Sequence, residues 1–249
     1  MRHTFTTATK CPQSFGLTYL TFTDTERINC LIGYMTNAKA GECIFFTTNQ
    51  FMKAISFYNS NINPLVVEYQ KKVFNHFGLE VEQILHSKEH GEAIDYWLNI
   101  MDWEEVAIFD IDCIPLNKFV LHHSLAMCLD NVFGAAQKAN HIEGSGIYAS
   151  PAFICLSKEV YNKIGRPTFK DGNGFDVGAF VSHVAAQSGV SVSLLWPSDV
   201  EEPKWCLSGE TMFGYGTTYQ GMVYHAFESR FNHESTSRFI AKCKEVIGE

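Results

Sequence analysis

From residue 54 the chain alternates short apolar runs with amphipathic stretches. Ala54-Ile55-Ser56-Phe57-Tyr58 reads as a buried strand, and Asn59-Ser60-Asn61-Ile62-Asn63-Pro64 follows as a turn rich in side-chain amides, with Pro64 suited to the first helical position. Over residues 65–77 the apolar side chains Leu65, Val66, Tyr69, Val73, Phe74 and Phe77 recur at helical spacing, and Gly78 is placed to end the helix. A second strand is predicted over 81–85 and a second helix over 90–101, carried by Ala93, Ile94, Trp97, Leu98 and Met101. Val106-Ala107-Ile108-Phe109 is a continuous apolar run, the kind that a parallel strand buries on both faces. This β-α-β-α-β order with short connections predicts an α/β fold with a mostly parallel sheet flanked by helices.

Further along, the pattern predicts a helix over 121–129, strands over 132–136 and 152–156, and a helix that Ser157 caps and that ends near Gly165 and Pro167. An amphipathic helix over 176–187, a strand over 190–195, a short run Val223-Tyr224-His225 and a C-terminal helix over 234–247 complete the series. Residues 1–50 read as an extension packed on the core, with one clear strand at Cys43-Ile44-Phe45-Phe46 and a helix around 24–38. Residues 51–249 show no repeat, low-complexity tract or linker, so they are expected to form one domain.

Composition sharpens this picture. In 249 residues, 46% are hydrophobic and 18% charged, with 20 Phe and 10 Tyr, which is ample material for a sizeable core. The net charge of −8 disfavours broad electrostatic attachment to nucleic acid or to an anionic membrane surface. No run of about 18 apolar residues occurs and the N-terminus lacks an apolar signal region, so the expectation is a soluble, cytoplasmic protein without a membrane partner. The 8 cysteines form no C-x-x-C pair and read mainly as small buried residues in a reducing compartment; Cys113 stands out because it follows an acidic pair.

That pair is Asp110 and Asp112. They directly follow the buried run 106–109, so the strand delivers two carboxylates to the carboxyl edge of the sheet, where open α/β sheets bind ligands. Two acids this close repel unless a cation or hydrogen-bond donors lie between them, and hard oxygen ligands suit Mg²⁺ or Mn²⁺. As a bare string, D-x-D is common at loop starts; its place after a buried strand gives it weight.

The run Ala107-Ile108-Phe109-Asp110-Ile111-Asp112-Cys113-Ile114-Pro115 resembles the D-x-D strand of GT-A glycosyltransferases, and the resemblance extends over about 54–230. It implies a Rossmann-like GT-A fold, a nucleoside-diphosphate sugar as donor, and Mn²⁺ or Mg²⁺. Tyr58, Asn59, Ser60 and Asn61 would hold the donor base, Asp110 and Ile111 would lie toward the ribose, and Asp110, Asp112 and His225 would ligate the metal. Phage-type GT-A sequences are also similar, which would place the protein in a host cytoplasm.

Three further stretches fit that resemblance. Gly146-Ile147-Tyr148-Ala149-Ser150-Pro151-Ala152-Phe153 resembles the acceptor-side strand, although Gly and Ser also populate ordinary turns. Asp176 has a plain role as a helix N-cap, while the resemblance implies a general base acting on the acceptor hydroxyl. His225 is a structural histidine or the third metal ligand, and Arg230 and Glu228 are phosphate or orienting contacts or an exposed ion pair. Histidines 86, 90, 122 and 123 lack H-E-x-x-H spacing, which argues against a zinc hydrolase, and no P-loop or nucleophile elbow occurs.

Transfer of a sugar to a hydroxyl acceptor is thus the leading expectation, with a glycan or a hydroxymethylated base in phage DNA as acceptor. Lys138, His141, Lys158, Lys163, Arg166 and Lys170 cluster on the acceptor side in sequence, either as the basic groove a DNA acceptor would require or as ordinary solvated surface. The alternatives are nucleotidyl transfer, which also uses paired carboxylates with Mg²⁺, and a non-catalytic nucleotide-sugar-binding fold. Oligomeric state is left open.

Overall fold

A computed structural model describes residues 52–249; the expected extension, its strand at 43–46, its helix over 24–38 and Cys11, Cys30 and Cys43 lie outside the described residues. The central sheet has the order β2-β1-β3-β6-β5-β7, formed by β1 (Lys53–Tyr58), β2 (Glu82–Leu85), β3 (Glu105–Asp110), β5 (Asn131–Lys138), β6 (Ile147–Ser157) and β7 (Ser191–Leu195). β1 pairs parallel with β2 and β3, and β5 with β7, whereas β6 runs antiparallel to both β3 and β5. The expected α/β domain with a mixed, mostly parallel sheet between helices is what the chain forms.

Period-two burial in β3 shows why. Val106 and Ile108 pack on one face with Trp97 and Leu98 of α2 (His90–Ile100), Val160 and Tyr161 of α4 (Lys158–Lys163) and Val181 of α5 (Ala179–Gln187). Ala107 and Phe109 pack on the other face with Phe74 of α1 (Pro64–His76) and Val120, Leu125 and Cys128 of α3 (Val120–Cys128). A strand covered on both faces has no polar side, so it reads as a continuous apolar run. Pro64 opens α1 and Ser157 Oγ accepts from Val160 N at 3.1 Å, both as expected, while the N-cap of α1 is Asn63, whose Oδ1 accepts from Leu65 N at 3.0 Å.

A second sheet was not anticipated. β4 (Cys113–Pro115), β10 (Val223–Ala226), β9 (Thr211–Tyr219) and β8 (Pro197–Ser208) form an antiparallel sheet in the order β4-β10-β9-β8. β8 carries Pro197, Pro203 and the charged Asp199, Glu201, Glu202 and Lys204, and its pairing with β9 is interrupted by register shifts. An exposed edge strand with prolines and charges has no alternating apolar signal to detect. The last helix, α6 (His233–Ile247), packs Phe239 and Cys243 against Val66, Tyr69 and Val73 of α1.

The helix expected from residue 176 begins instead at Ala179. Gly178 occupies its N-cap position with φ 76°, so Asp176 lies outside the helix and its expected capping role is not realised. Its Oδ1 accepts from its own neighbour Val177 N at 2.9 Å.

The turn joining β3 to β4, which contains Asp110-Ile111-Asp112, is tied from below by the fully buried Gln70 of α1. Its amide nitrogen lies 2.8 Å from the Asp110 carbonyl, 3.0 Å from the Cys113 carbonyl and 3.1 Å from Ser56 Oγ. Gln83 Nε2 in turn donates to Gln70 Oε1 at 3.0 Å. Two amide protons shared among three acceptors make Gln70 hard to replace. Gln70→Leu, similar in size but without the donor, is expected to lower stability by about 1–3 kcal/mol. Equilibrium urea unfolding measures this; an unchanged midpoint would show that the turn holds itself.

Candidate active site

Strand polarity gathers the functional side chains at one edge of the central sheet. Phe57 pairs with Asp110 in the parallel β1–β3 ladder, so the loop after β1 and the turn after β3 leave the sheet together. β6 runs the other way: Phe153 pairs with Phe109, and Tyr148, Ser150 and Pro151 therefore lie beyond the carboxyl end of β3. Gln137, opposite Tyr148, reaches the same edge from β5. Between these elements lies a cavity of about 790 Å³, within the range of small-molecule and cofactor sites.

Tyr58, Asn59, Asn61, Asp110, Ile111, Asp112, Asp176, His225 and Arg230 all line this cavity. Ser60, exposed at the tip of the loop, is not among the lining residues. The acceptor-side stretch contributes Tyr148, Ser150 and Pro151. Of the six basic residues clustered in sequence, only Lys170 lines the cavity; Lys158 instead approaches Asp102 at 3.4 Å, and Arg166 Nη2 donates to Asn99 at 2.9 Å.

His225 reaches Asp112 because β10 pairs with β4 in a register that sets His225 opposite Cys113, with Ala226 N donating to the Asp112 carbonyl at 3.0 Å. Its Nε2 lies 3.2 Å from Asp112 Oδ1 and 3.6 Å from Asp110 Oδ2. The second oxygen of each carboxylate is held from outside this group. Asp110 Oδ1 lies 3.0 Å from His90 Nε2, and Asp112 Oδ2 accepts from the buried Ser229 hydroxyl. Phe227 packs against the His225 ring with centroids 4.0 Å apart, while the buried Nδ1 has no hydrogen-bond partner among the described residues.

The electrostatics follow from this crowding. Burial pushes the His225 imidazole down, but the Asp112 and Asp110 carboxylates more than offset it and raise its pKa. Burial likewise pushes His90 down, and Asp110 and Asp112 outweigh it. For Asp110, burial acts upward, yet His90, His225 and Arg230 hold the carboxyl below its ordinary value. Cys113 is driven well above the normal thiol range by burial and by both aspartates, so it stays a neutral thiol in the core.

The donor set suits a divalent cation. One ligand atom from each of Asp110, Asp112 and His225 lies within 4.8 Å of the others, and ligands sharing one ion at about 2.1 Å lie within about 4.2 Å of one another, so small shifts suffice. Two carboxylate oxygens and one imidazole nitrogen match Mg²⁺ or Mn²⁺ rather than a thiolate-bound metal.

In the same cavity, Tyr148 donates its hydroxyl to Asp176 Oδ2 at 2.9 Å. Burial first, and then Asp176, push that phenol far above its ordinary range, so it remains a donor. Glu228 and Arg230 do not pair: Lys204 Nζ lies 3.3 Å from Glu228, and the Arg230 guanidinium stands 4.2 Å over the Phe231 ring.

No protein-family model matches the sequence, and no curated protein matches it. Among solved structures, the chain is similar to a mannosyltransferase from Pyrobaculum calidifontis in complex with GDP-Man and Mn²⁺, at 12% identity over 59% of this chain and 55% of that one, TM-score 0.43. It is also similar to the catalytic domain of Drosophila β1,4-galactosyltransferase 7 in complex with xylobiose, at 11% identity over 57% and 64% of the two chains, TM-score 0.42. A third is the inositol-1-phosphate CTP transferase of T. maritima, at 12% identity over 79% and 98%, TM-score 0.39. The likeness is one of overall shape. The chain spans 55% and 64% of the two glycosyltransferases, and scores of this size transfer no activity. Among the described residues, no helix is long and apolar enough to cross a membrane.

The sequence pattern missed His90, which H-E-x-x-H spacing had set aside, and Ser229. His90 opens α2, twenty residues before Asp110, and no local spacing signals their contact. Mn²⁺ at 100 times its Kd is expected to stabilise the protein by about 2.7 kcal/mol, raising the melting temperature by about 5–10 °C. Asp112→Asn should abolish most of that shift. Calorimetric titration checks the affinity, and a variant that binds Mn²⁺ like the wild type would remove Asp112 from the ligand set.

Proposed function

We propose that the protein is a metal-dependent glycosyltransferase of the GT-A type, moving a sugar from a nucleoside-diphosphate sugar to a hydroxyl acceptor. The observation that carries this reading is the convergence of Asp110 Oδ2, Asp112 Oδ1 and His225 Nε2 in a cavity that Asp176 also lines. A metal centre and a separate carboxylate in one cavity correspond to a donor half and an acceptor half.

In the donor half, Tyr58, Asn59 and Asn61 line the wall beside Asp110 and supply the polar side chains to hold the base. Ser60 would contribute only from the rim. Arg230 offers a planar guanidinium to a diphosphate. Asp110, Asp112 and His225 would hold a divalent ion, whose positive charge would offset the charge on the departing nucleotide.

In the acceptor half, Asp176 is suited to take the proton of the attacking hydroxyl. Tyr148 and Val177 N occupy two of the carboxylate's about four lone-pair positions and fix its plane, leaving capacity for the acceptor. This role requires an inverting reaction. With Lys170 the sole member of the basic cluster at the cavity, a glycan or small hydroxyl acceptor fits better than a hydroxymethylated DNA base, which needs a basic groove.

Nucleotidyl transfer also uses paired carboxylates with Mg²⁺, but normally brings a Gly-rich basic segment to the triphosphate. Here the loop after β1, Asn59-Ser60-Asn61-Ile62-Asn63, contains no glycine, lysine or arginine. Thermal denaturation with a panel of nucleoside-diphosphate sugars, with and without Mn²⁺, separates the readings. A shift by one donor that requires Mn²⁺ and disappears in Asp112→Ala supports glycosyl transfer. Stabilisation by nucleoside triphosphates alone would favour nucleotidyl transfer, and no response to either class would leave only a binding role for other ligands.

With donor and acceptor identified, Asp176→Asn is expected to lower kcat by about 10²–10⁴ while leaving Mn²⁺ affinity intact. An unchanged kcat would sink the base assignment.

A further inference from the structure

The outer oxygen of Asp110 faces His90 in a close ion-pair contact, and His90 has no part in the ligand set. His90 Nε2 lies 3.0 Å from Asp110 Oδ1, whereas the three mutually close ligand atoms belong to Asp110, Asp112 and His225. A histidine on the far side of a carboxylate acts on the direction in which that carboxylate presents its remaining oxygen.

The fold secures His90 from several directions. It is the first residue of α2, and Phe57 of β1 meets its ring edge-on, centroids 6.3 Å apart at 88°. The next residue, Gly91, lies so close to a neighbouring segment that a Cβ there would stand 2.5 Å from the Phe169 carbonyl oxygen. Asp95, one turn on, accepts from Phe169 N at 2.8 Å. The first turn of α2 is thus pressed against residues 169–170 on one side and β1 on the other, with little freedom for His90 to leave Asp110.

We propose that His90 is a positioning residue that keeps Asp110 a one-oxygen ligand and thereby sets the preference of the centre for Mn²⁺ or Mg²⁺ over Ca²⁺. This rests on the reading of Asp110, Asp112 and His225 as a metal centre. With Oδ1 engaged by His90 and Asp112 Oδ2 engaged by Ser229, each carboxylate turns one oxygen toward the shared site. Mg²⁺ and Mn²⁺ suit compact octahedral sites with few protein oxygens, whereas Ca²⁺ takes 6–8 oxygens, often from two-oxygen carboxylates, at about 2.3–2.6 Å. Releasing Asp110 Oδ1 would open the second mode and loosen the first.

The test compares Mn²⁺ and Ca²⁺ affinities, by calorimetry and by the Mn²⁺ electron paramagnetic resonance signal, in the wild type, His90→Leu and His90→Gln. The leucine variant should bind Mn²⁺ about 10–100-fold more weakly, with a smaller loss or a gain for Ca²⁺, so the selectivity ratio falls. Glutamine, which places an amide donor near the position of Nε2, should recover most of the ratio. If the leucine variant does not fold, His90→Asn, whose shorter amide does not reach Asp110, carries the same expectation.

An unchanged ratio in a folded leucine or asparagine variant overturns the proposal. So does a loss that glutamine fails to restore, which would mark His90 as a ligand or a packing residue. Wild-type protein that binds no Mn²⁺ would defeat the metal reading itself, a result distinct from the other two.

Discussion

Asp110 and Asp112 leave a buried strand within three residues of each other, and their mutual repulsion at the sheet edge is the constraint around which the site is built. Each carboxylate, with Asp112 buried and Asp110 partly so, must be matched by donors or cations. The chain supplies His225 between them, His90 and Ser229 on their outer oxygens, and Gln70 beneath the backbone of the turn. None of these groups comes from the β3–β4 segment itself, so the arrangement exists only when α1, α2, β10 and the turn after β10 are all in place.

Neutralisation of this kind is directional. A donor or cation set against one oxygen of a carboxylate biases where the other points, and here both inner oxygens point toward His225 Nε2. The same contacts that make the acids tolerable in the fold also set the donor geometry of the candidate cation site. That dual use explains why His90 and His225 are raised in pKa while Asp110 is held down: burial opposes every one of these charges, and proximity outweighs it.

The reversed strand β6 has a comparable effect on the other half of the cavity. Were it parallel to β3, Tyr148 and Ser150 would lie at the opposite edge; because it is antiparallel, its first residues lie beyond the carboxyl end of β3 and bring Tyr148 to Asp176. The second sheet completes the enclosure, since β10 carries His225 and leads into the turn bearing Glu228, Ser229, Arg230 and Phe231 at the cavity wall.

Local physics made much of this visible in the sequence. The apolar run 106–109 announces a strand buried on both faces, Pro64 and Ser157 announce helix starts, and the place of Asp110 and Asp112 after such a strand sets them at the carboxyl edge of the sheet; each of these depends on neighbours a few residues away. The edge strand β8 stayed hidden because prolines and charges on a one-sided strand leave no periodic signal, and Gly178 rather than Asp176 starts α5 because only the folded chain shows which residue adopts the left-handed conformation. His90 and Ser229 belong to the same class. Their significance lies in contacts with Asp110 and Asp112 across long stretches of chain, and such contacts are set by strand order and register, which no local pattern encodes.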